Sequence, residues 1–569
     1  MSVWRGLARP VRYAALASGA LPVLAFPAPN IEALAWAGLV PGLLIIRSSA
    51  TAREAAVRGW WFGTGFMLAA HYWLAPNIGP ALLLVAVLLG ALWLGVGVSA
   101  WALLRHPLTA RRALAALVVV PSYWLIIEWI RSWQALGGPW ALLGASQWRH
   151  PAVLALAAVG GVWLVSFALV AANTGLAILL TARRPAIRVL GGAAACAVVA
   201  AGPAAFALSP PLHPQGHITL ALIQPGIVHD PRLRLDESER MSAGLGPRRP
   251  GLVVWGESSV GYDLRRDPAL LGQIERLSAA LGAQVLVNQD TITPRGKSKV
   301  AMLIGRSGIV ASYTKTRLVP FGEYIPFRQQ LGWLTNISRA AAVNIVPGDG
   351  AHVLTVTVPA GRSTPARQPR PAQPARSVQP APPGYSLRIG VLICFEAAFP
   401  DMSRVDVRHG ARLLVFQTSD STFQGSWAPA QHASLAALRA AETGRPAVQA
   451  ALTGVTAAFD ARGRLLRWLP TSRRGAAVVR LDLPAASDLT FFDRFGDLVP
   501  WTALGISVLA AGLGLNRPDG PQRLIGIMVE GNRRPAPYVS VSEAVSRSAR
   551  IPKPTEPGCG AASSPQAGE

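Results

Sequence analysis

The feature that most constrains this chain is an alternation of apolar stretches with arginine clusters that recur at every second loop. Apolar runs occupy 13–27, 34–46, 59–74, 81–104, 114–130, 153–180 and 189–208, with an eighth at 498–515. A helix crossing hydrocarbon needs about 20 apolar residues, because no water there can satisfy a bare backbone. Several runs are shorter, which leaves their ends soft. The first, behind Arg5, Arg9 and Arg12, has the layout of a signal-peptide core. With so many spans after it, it is expected to remain as an anchor.

Arginine placement orients these spans, since cationic loops are held in the cytoplasm. Arg5, Arg9 and Arg12 precede the first; Arg47, Arg53 and Arg58 follow the second; Arg105, Arg111 and Arg112 follow the fourth; Arg183, Arg184 and Arg188 follow the sixth. The loops around Pro29, Pro76 and 210–215 are almost free of basic residues, and 132–150 carries Arg149 as its one arginine. The seven-span domain 1–208 is therefore expected to exit outward. Residues 217–488 then lie outside the cytoplasm, 498–515 returns the chain inside, and both termini are cytoplasmic. Lys and Arg number 54 against 29 Asp and Glu, yet no basic stripe interleaves with aromatics, so topology rather than nucleic acid accounts for the excess.

Between 217 and 488 the pattern changes to short β-rich runs at 218–224, 252–255, 284–288, 300–304, 309–313, 353–358, 387–393, 413–417, 447–452, 457–460 and 477–481. Helical periods fall at 268–281 and 429–443. Strands interspersed with helices, some joined as hairpins, predict a layered α/β sandwich. The stretch 361–383, rich in Pro, Arg, Ala and Gln, lacks the apolar surface to order itself and is expected to be a disordered insertion. The polar segment 516–569 has the composition of a flexible tail.

Three residues each close a strand in this region: Glu257 after 252–255, Lys315 after 309–313, and Cys394 after 387–393. Cys394 leads through Ala397 and Phe399 to Pro400 and a weak helical period, which predicts a strand-to-helix corner that exposes its side chain to a cleft. The other cysteines are Cys196, in an apolar run, and Cys559, in the tail, so no sensible disulfide is available. An unpartnered thiol in an oxidising compartment calls for another purpose. A thiol attacks an acyl carbon as thiolate and needs a base, a role open to Glu257 if desolvation raises its pKa. The resulting oxyanion needs donors, which Lys315 and the amide of Phe395 can supply. Each also has a bland account: a buried small hydrophobe, a helix-cap carboxylate, a solvated hairpin charge.

Glu, Lys and Cys in this order resemble the triad of the nitrilase, or carbon–nitrogen hydrolase, superfamily. The run Lys315-Thr316-Arg317-Leu318-Val319-Pro320-Phe321-Gly322-Glu323-Tyr324-Ile325-Pro326 and the run Cys394-Phe395-Glu396 more closely resemble the bacterial apolipoprotein N-acyltransferase family. Gly137-Gly138-Pro139-Trp140 and Gly144-Ala145-Ser146-Gln147, outside the β-rich region, are similar to that family too. The resemblance implies a four-layer αββα fold, with Glu323 and Glu396 as supporting carboxylates that orient Lys315 and the thiol. It also implies a membrane phospholipid as acyl donor and a diacylglyceryl-apolipoprotein as acceptor. Phe416 to Phe423 departs from the family, with Ser419 and Thr422 where Asn and Trp are usual, so an aromatic lining the cleft is expected to be missing. Gln431, His432, Arg439, Glu442 and Arg445 resemble the helix that follows, and His432 is expected to make a structural hydrogen bond.

Polar residues within the apolar runs are Glu128, expected to pair with Arg131 at a membrane face, His71, expected in an aromatic belt with Tyr72 and Trp73, and Asn173. No cluster has metal-ligand spacing, and neither metal nor cofactor is expected. The expected protein is a monomeric, multi-pass plasma-membrane acyltransferase that works through a Cys394 thioester. The alternatives are a membrane-tethered amidase or nitrilase and a non-catalytic scaffold of the same fold.

Overall fold

A computed structural model describes residues 9–210, 213–293, 296–325, 328–332, 344–359 and 384–514. The expected insertion at 361–383 and tail at 516–569 lie outside the described residues.

All eight apolar runs carry helix. Among the described residues, four helices are long and apolar enough to cross a membrane: Ala81–Leu104, Ala110–Arg131, Ala157–Thr181 and Pro185–Leu208. Ala33–Arg47 and Leu498–Gly512 are apolar but shorter, and Ala52–Ala70 carries Arg53, Glu54 and Arg58 in its first two turns. Asn173 has a structural role. It accepts from the Leu39 amide (3.0 Å) and donates to the carbonyls of Ala35 (2.9 Å) and Leu169 (2.8 Å), bridging the break between the short helices Ala33–Ala37 and Val40–Arg47.

The β-rich region forms two six-stranded sheets. The first holds β1 (His217–Gln224), β2 (Leu252–Trp255), β3 (Gln284–Thr293), β4 (Gly296–Gly305), β5 (Gly308–Thr314) and β12 (Gly475–Asp482), in the order β12-β1-β2-β3-β4-β5. The second holds β6 (Val353–Val358), β7 (Tyr385–Ile393), β8 (Leu413–Thr418), β9 (Ala447–Ala451), β10 (Thr456–Phe459) and β11 (Leu465–Leu469), in the order β11-β10-β9-β8-β7-β6. In each sheet the three central strands, β1 to β3 and β7 to β9, run parallel with antiparallel strands flanking them. Parallel strands are covered on both faces, which is why β2 and β8 are buried throughout and read as continuous apolar runs.

The period of two along a strand sorts the layers. Leu220, Leu222, Leu252 and Val254 join the core shared with the second sheet. Ala221, Ile223, Val253 and Trp255 face Leu235 and Ile274 on the helices Pro231–Ala243 and Pro268–Leu281. With Pro400–Arg408 and Ala428–Thr443 against the second sheet, the layers run helix, sheet, sheet, helix.

Ala428–Thr443 is buried on almost every side, because it lies between that sheet and the apolar helix Ala157–Thr181. The latter breaks at Gly160 and Gly161, with Gly161 at φ +67°. A β-carbon there would meet the Phe492 ring at 2.7 Å. The break frees the Val162 amide, which donates to Glu442 Oε1 at 2.8 Å, and Glu442 in turn pairs with Arg439 at 2.8 Å. A freed amide in an apolar interior is costly, so this carboxylate ties the two halves together.

The expected Glu128–Arg131 pair is replaced by other partners. Both residues are buried; Glu128 accepts from the Leu143 amide (2.7 Å) and Trp124 Nε1 (2.9 Å), while Arg131 donates to the Trp140 carbonyl (2.9 Å). Backbone groups of the 137–147 loop need these partners more than the two side chains need each other.

Candidate active site

Glu257, Lys315 and Cys394 stand where β2, β5 and β7 end. Gly256 lets the sheets approach there: a β-carbon would stand 2.0 Å from the Leu452 amide nitrogen. The Glu257 amide then donates to the Thr418 carbonyl across the sheets at 3.2 Å.

Cys394 opens a 3₁₀ turn, Cys394–Ala398, and has φ +53°. A non-glycine residue in this region stores about 1–3 kcal/mol of strain and persists when its surroundings hold it. Glu396 does the holding. Its Oε1 accepts from Tyr313 Oη (2.8 Å), the Thr316 amide (2.6 Å) and the Arg317 amide (2.9 Å), and its Oε2 accepts from the Ile393 amide (2.7 Å). Burial raises its pKa, opposed by the Ile393 and Arg317 amides, but four donors on two oxygens leave a carboxyl proton no acceptor. The ionised form is the one this geometry serves. One side chain thereby fastens the thiol turn to the Lys315 loop.

Lys315 is fully buried. Its Nζ lies 2.7 Å from Glu323 Oε1 and 3.4 Å from Glu257 Oε1, and Glu323 Oε2 accepts from the Val319 amide at 2.9 Å. Burial alone would depress the ammonium; Glu257 and Glu323 overcome that and hold its pKa well up. Cys394 lies close enough to Glu257 and Lys315 for both to act on its thiol: burial together with the Glu257 carboxylate raises the thiol pKa while Lys315 pulls it down. The expected base, the expected cation and the thiol thus meet at one point. Phe395 supplies an amide in the first turn after Cys394, where no intrahelical acceptor exists. Its ring packs edge-on against Phe399 at 4.9 Å.

The ionisation of Glu257 departs from expectation. Burial does push it upward, but Lys299 and Lys315 outweigh that and hold it below the ordinary carboxylate range. Lys299 Nζ lies 3.2 Å from Glu257 Oε1, 3.3 Å from Asp290 Oδ1 and 2.7 Å from Ser258 Oγ. Of the chain's 4 lysines, Lys297, Lys299 and Lys315 all carry ion pairs to Glu257 or Asp290; the scarcity of lysine marks these positions in the sequence but not the carboxylate each one meets.

His432 also does more than expected. Its Nδ1 is 2.8 Å from Asp420 Oδ1 and its Nε2 3.0 Å from the Cys394 carbonyl. Both partners are acceptors, so both ring nitrogens must carry protons. Burial opposes that cation, but Asp420 prevails and raises the pKa.

Position 422, where an aromatic is expected to be missing, holds Thr422. Thr422 is exposed, while the Phe423 ring packs edge-on against Trp73 at 4.8 Å, and Trp73 lies 5.2 Å from Trp140. Trp140 lies 5.7 Å from His432 and donates to Gln431 at 2.9 Å. Tyr72 accepts from the Trp427 amide at 3.0 Å. Tyr72 and Trp73, expected in an aromatic belt with His71, thus also pack against Trp427 and Phe423 of the β-rich half.

The sequence of this chain is similar to those of known proteins. Residues 18–175 match the family described as apolipoprotein N-acyltransferase N-terminal domain, and residues 220–490 match the carbon-nitrogen hydrolase family. An apolipoprotein N-acyltransferase of Geobacter metallireducens is 29% identical over 88% of this chain and 95% of its own. One of Allorhizobium ampelinum is 30% identical over 77% of this chain and 81% of its own. A nitrilase-superfamily amidase of Nesterenkonia covers 48% of this chain and 94% of its own, at 18% identity and a TM-score of 0.31. The two matched domains in one chain, and the length shared with these curated relatives, establish that the chain belongs to the apolipoprotein N-acyltransferase family.

Proposed function

We propose that the chain transfers an acyl group from a membrane phospholipid to the α-amine of a diacylglyceryl-cysteine at the start of an apolipoprotein, through a thioester on Cys394. Glu257 accepts the thiol proton as sulfur attacks the ester carbonyl, and Lys315 and the Phe395 amide receive the oxyanion. As the intermediate collapses, the lysophospholipid oxygen leaves with the proton from Glu257. The acceptor amine then attacks the thioester, Glu257 takes its proton, and the thiolate departs to recover it. Glu257, held ionised by Lys299 and Lys315, is ready to accept; the thiol, held protonated by burial, gives up its proton only when a carbonyl is in place.

The observation that carries this reading is the Glu257–Lys315–Cys394 convergence beside His432, which the rings of Trp140 and Trp73 link to the apolar half of the chain. Such a junction suits substrates whose tails stay in a bilayer, since neither leaves it cheaply. In the same proposal eight segments cross the plasma membrane, 217–488 faces away from the cytoplasm, both termini are cytoplasmic, and the protein acts as a monomer.

Intact-protein mass spectrometry after exposure to phospholipid tests this. The expected result is one acyl adduct, absent in Cys394→Ala and discharged onto a diacylglyceryl-cysteine peptide. An adduct released as free fatty acid whether or not the peptide is present would make the chain a hydrolase; no adduct at all would make it a scaffold.

A further inference from the structure

An open crevice of about 560 Å³ lies between one end of the Pro185–Leu208 helix and the outer edge of the second sheet, lined by Arg149, Pro151, Ala152, Phe206, Arg464 and Leu465. Pro185–Leu208 is among the helices long and apolar enough to cross a membrane, and Phe206 is in its last turn. The crevice therefore sits where hydrocarbon gives way to headgroups. β11 is the edge strand of its sheet, and it exposes Leu465 (38%) and Leu466 (41%) between Arg464 and Arg467.

The arginines here are held in place. Asp460 Oδ1 accepts from the amides of Arg462 (2.9 Å) and Arg464 (2.8 Å), which fixes the β10–β11 turn. Arg462 lies over the Phe206 ring at 4.8 Å and donates to the Pro210 carbonyl at 3.0 Å, docking that turn on the helix end. Arg149 lies over Trp148 at 4.8 Å, and Trp148 stacks on Trp468 at 5.1 Å. The charge is incompletely balanced: Asp460 stands 4.0 Å from Arg464, and Arg149 has no carboxylate in ion-pair range among the described residues. These arginines are also on the side that the orientation proposed above places outward, where retention of arginine in the cytoplasm does not explain them.

We propose that this crevice is a second lipid site, holding the phosphate of an anionic glycerophospholipid between Arg149 and Arg464, with its acyl chains lying along the Pro185–Leu208 helix past Phe206. Guanidinium suits a phosphodiester because it donates in a fork. The apolar remainder of the lining, Pro151, Ala152, Phe206 and Leu465, selects a lipid over a free anion. The site is separate from the reacting thiol: β11 and β7 are four strand spacings apart, about 19 Å. A lipid bound there sets the height of the second sheet against the bilayer without entering the chemistry.

The test uses the full chain in detergent, with bound lipid counted by native mass spectrometry. An arginine near an anionic surface contributes about five-fold in affinity, so Arg149→Gln with Arg464→Gln is expected to weaken retention of phosphatidylglycerol about 30-fold. Both positions are exposed, so the fold survives, and acylation of Cys394 at the wild-type rate verifies that. Equal retention of phosphatidylglycerol by variant and wild type would overturn the proposal. So would displacement by inorganic phosphate at equal concentration, which would mark a free-anion site, or equal retention of zwitterionic phosphatidylethanolamine by the wild type. Loss of Cys394 acylation from wild type and variant alike, with the retention difference intact, would overturn the proposed reaction and leave this site standing.

Discussion

Replacing Glu396 by Gln removes a charge and one acceptor from the group that locks the thiol turn. An amide can keep its oxygen toward Tyr313, Thr316 and Arg317, but its nitrogen then faces the Ile393 amide, donor against donor. The opposite flip abandons three bonds to save one. The lost bond is charge-assisted and buried, worth about 2–3 kcal/mol, which is comparable to the strain of about 1–3 kcal/mol held at Cys394. Without it the turn relaxes, Cys394 leaves its left-handed conformation, and the Lys315 loop loosens. A shift of that size lowers the fraction of competent turns roughly 30- to 150-fold. Single-turnover acylation of Cys394, followed by intact mass, reads this directly, with cooperative unfolding of the same sample as a check on the fold. If E396Q is acylated at the wild-type rate, the carboxylate does not hold the turn, and the role assigned to it here is wrong.

Lys315→Met removes the buried ammonium between Glu257 and Glu323, and the loss of an oxyanion donor is expected to slow Cys394 acylation roughly 10²- to 10³-fold. Lys299→Met removes the leading cause of the low Glu257 pKa, so that pKa rises and the acidic limb of the pH–rate profile moves to higher pH; an unmoved limb would mean Lys299 does not act on the base. His432→Gln tests the imidazolium. A raised folded pKa means its stabilisation is complete below the unfolded value of about 6.5 and is lost as pH rises through the folded value. The stability gap between wild type and H432Q is therefore expected to be largest below about pH 6.5 and to close in alkali; thermal unfolding scans across pH measure it.

The sheets were legible where burial writes itself into composition. β2 and β8 are buried on both faces and appear as unbroken apolar runs, and Cys394, Glu257 and Lys315 stand where such runs stop. β11 escaped notice because it is an edge strand of mixed Leu, Arg and Trp, mostly exposed and without alternation. The Pro231–Ala243 helix escaped because its charged residues leave only Leu235, Ser238 and Ser242 buried. Lys299 meets Glu257 through the register of β3 with β4 and β5, which no local pattern encodes. The ionisation of Glu257 was misjudged for the same reason: its burial could be anticipated, its second cation could not. Glu128 and Arg131 are spaced as a helical pair, but the competing acceptors and donors come from residues 140–143, a loop whose path is a tertiary matter.

The contacts across the seam explain why the apolar half is more than an anchor. Gly138 has φ +73°, and a β-carbon on it would stand 2.5 Å from Phe395 Cζ and 2.9 Å from Phe399 Cζ, so the loop after Ala110–Arg131 is seated on the residue that follows Cys394. Gln134 donates to the Leu318 carbonyl at 3.0 Å, on the loop that carries Lys315 and Glu323. Glu442, on the helix that also places His432, caps the broken Ala157–Thr181 helix. The Cys394 turn, the Lys315 loop and the His432 helix thus each make a contact with the half of the chain that a free-standing nitrilase domain would lack. Tilting the Ala110–Arg131 or Ala157–Thr181 helix must therefore move at least one of the three against the others, and the geometry at Cys394 is set jointly by the packing of the apolar helices and by the sheets.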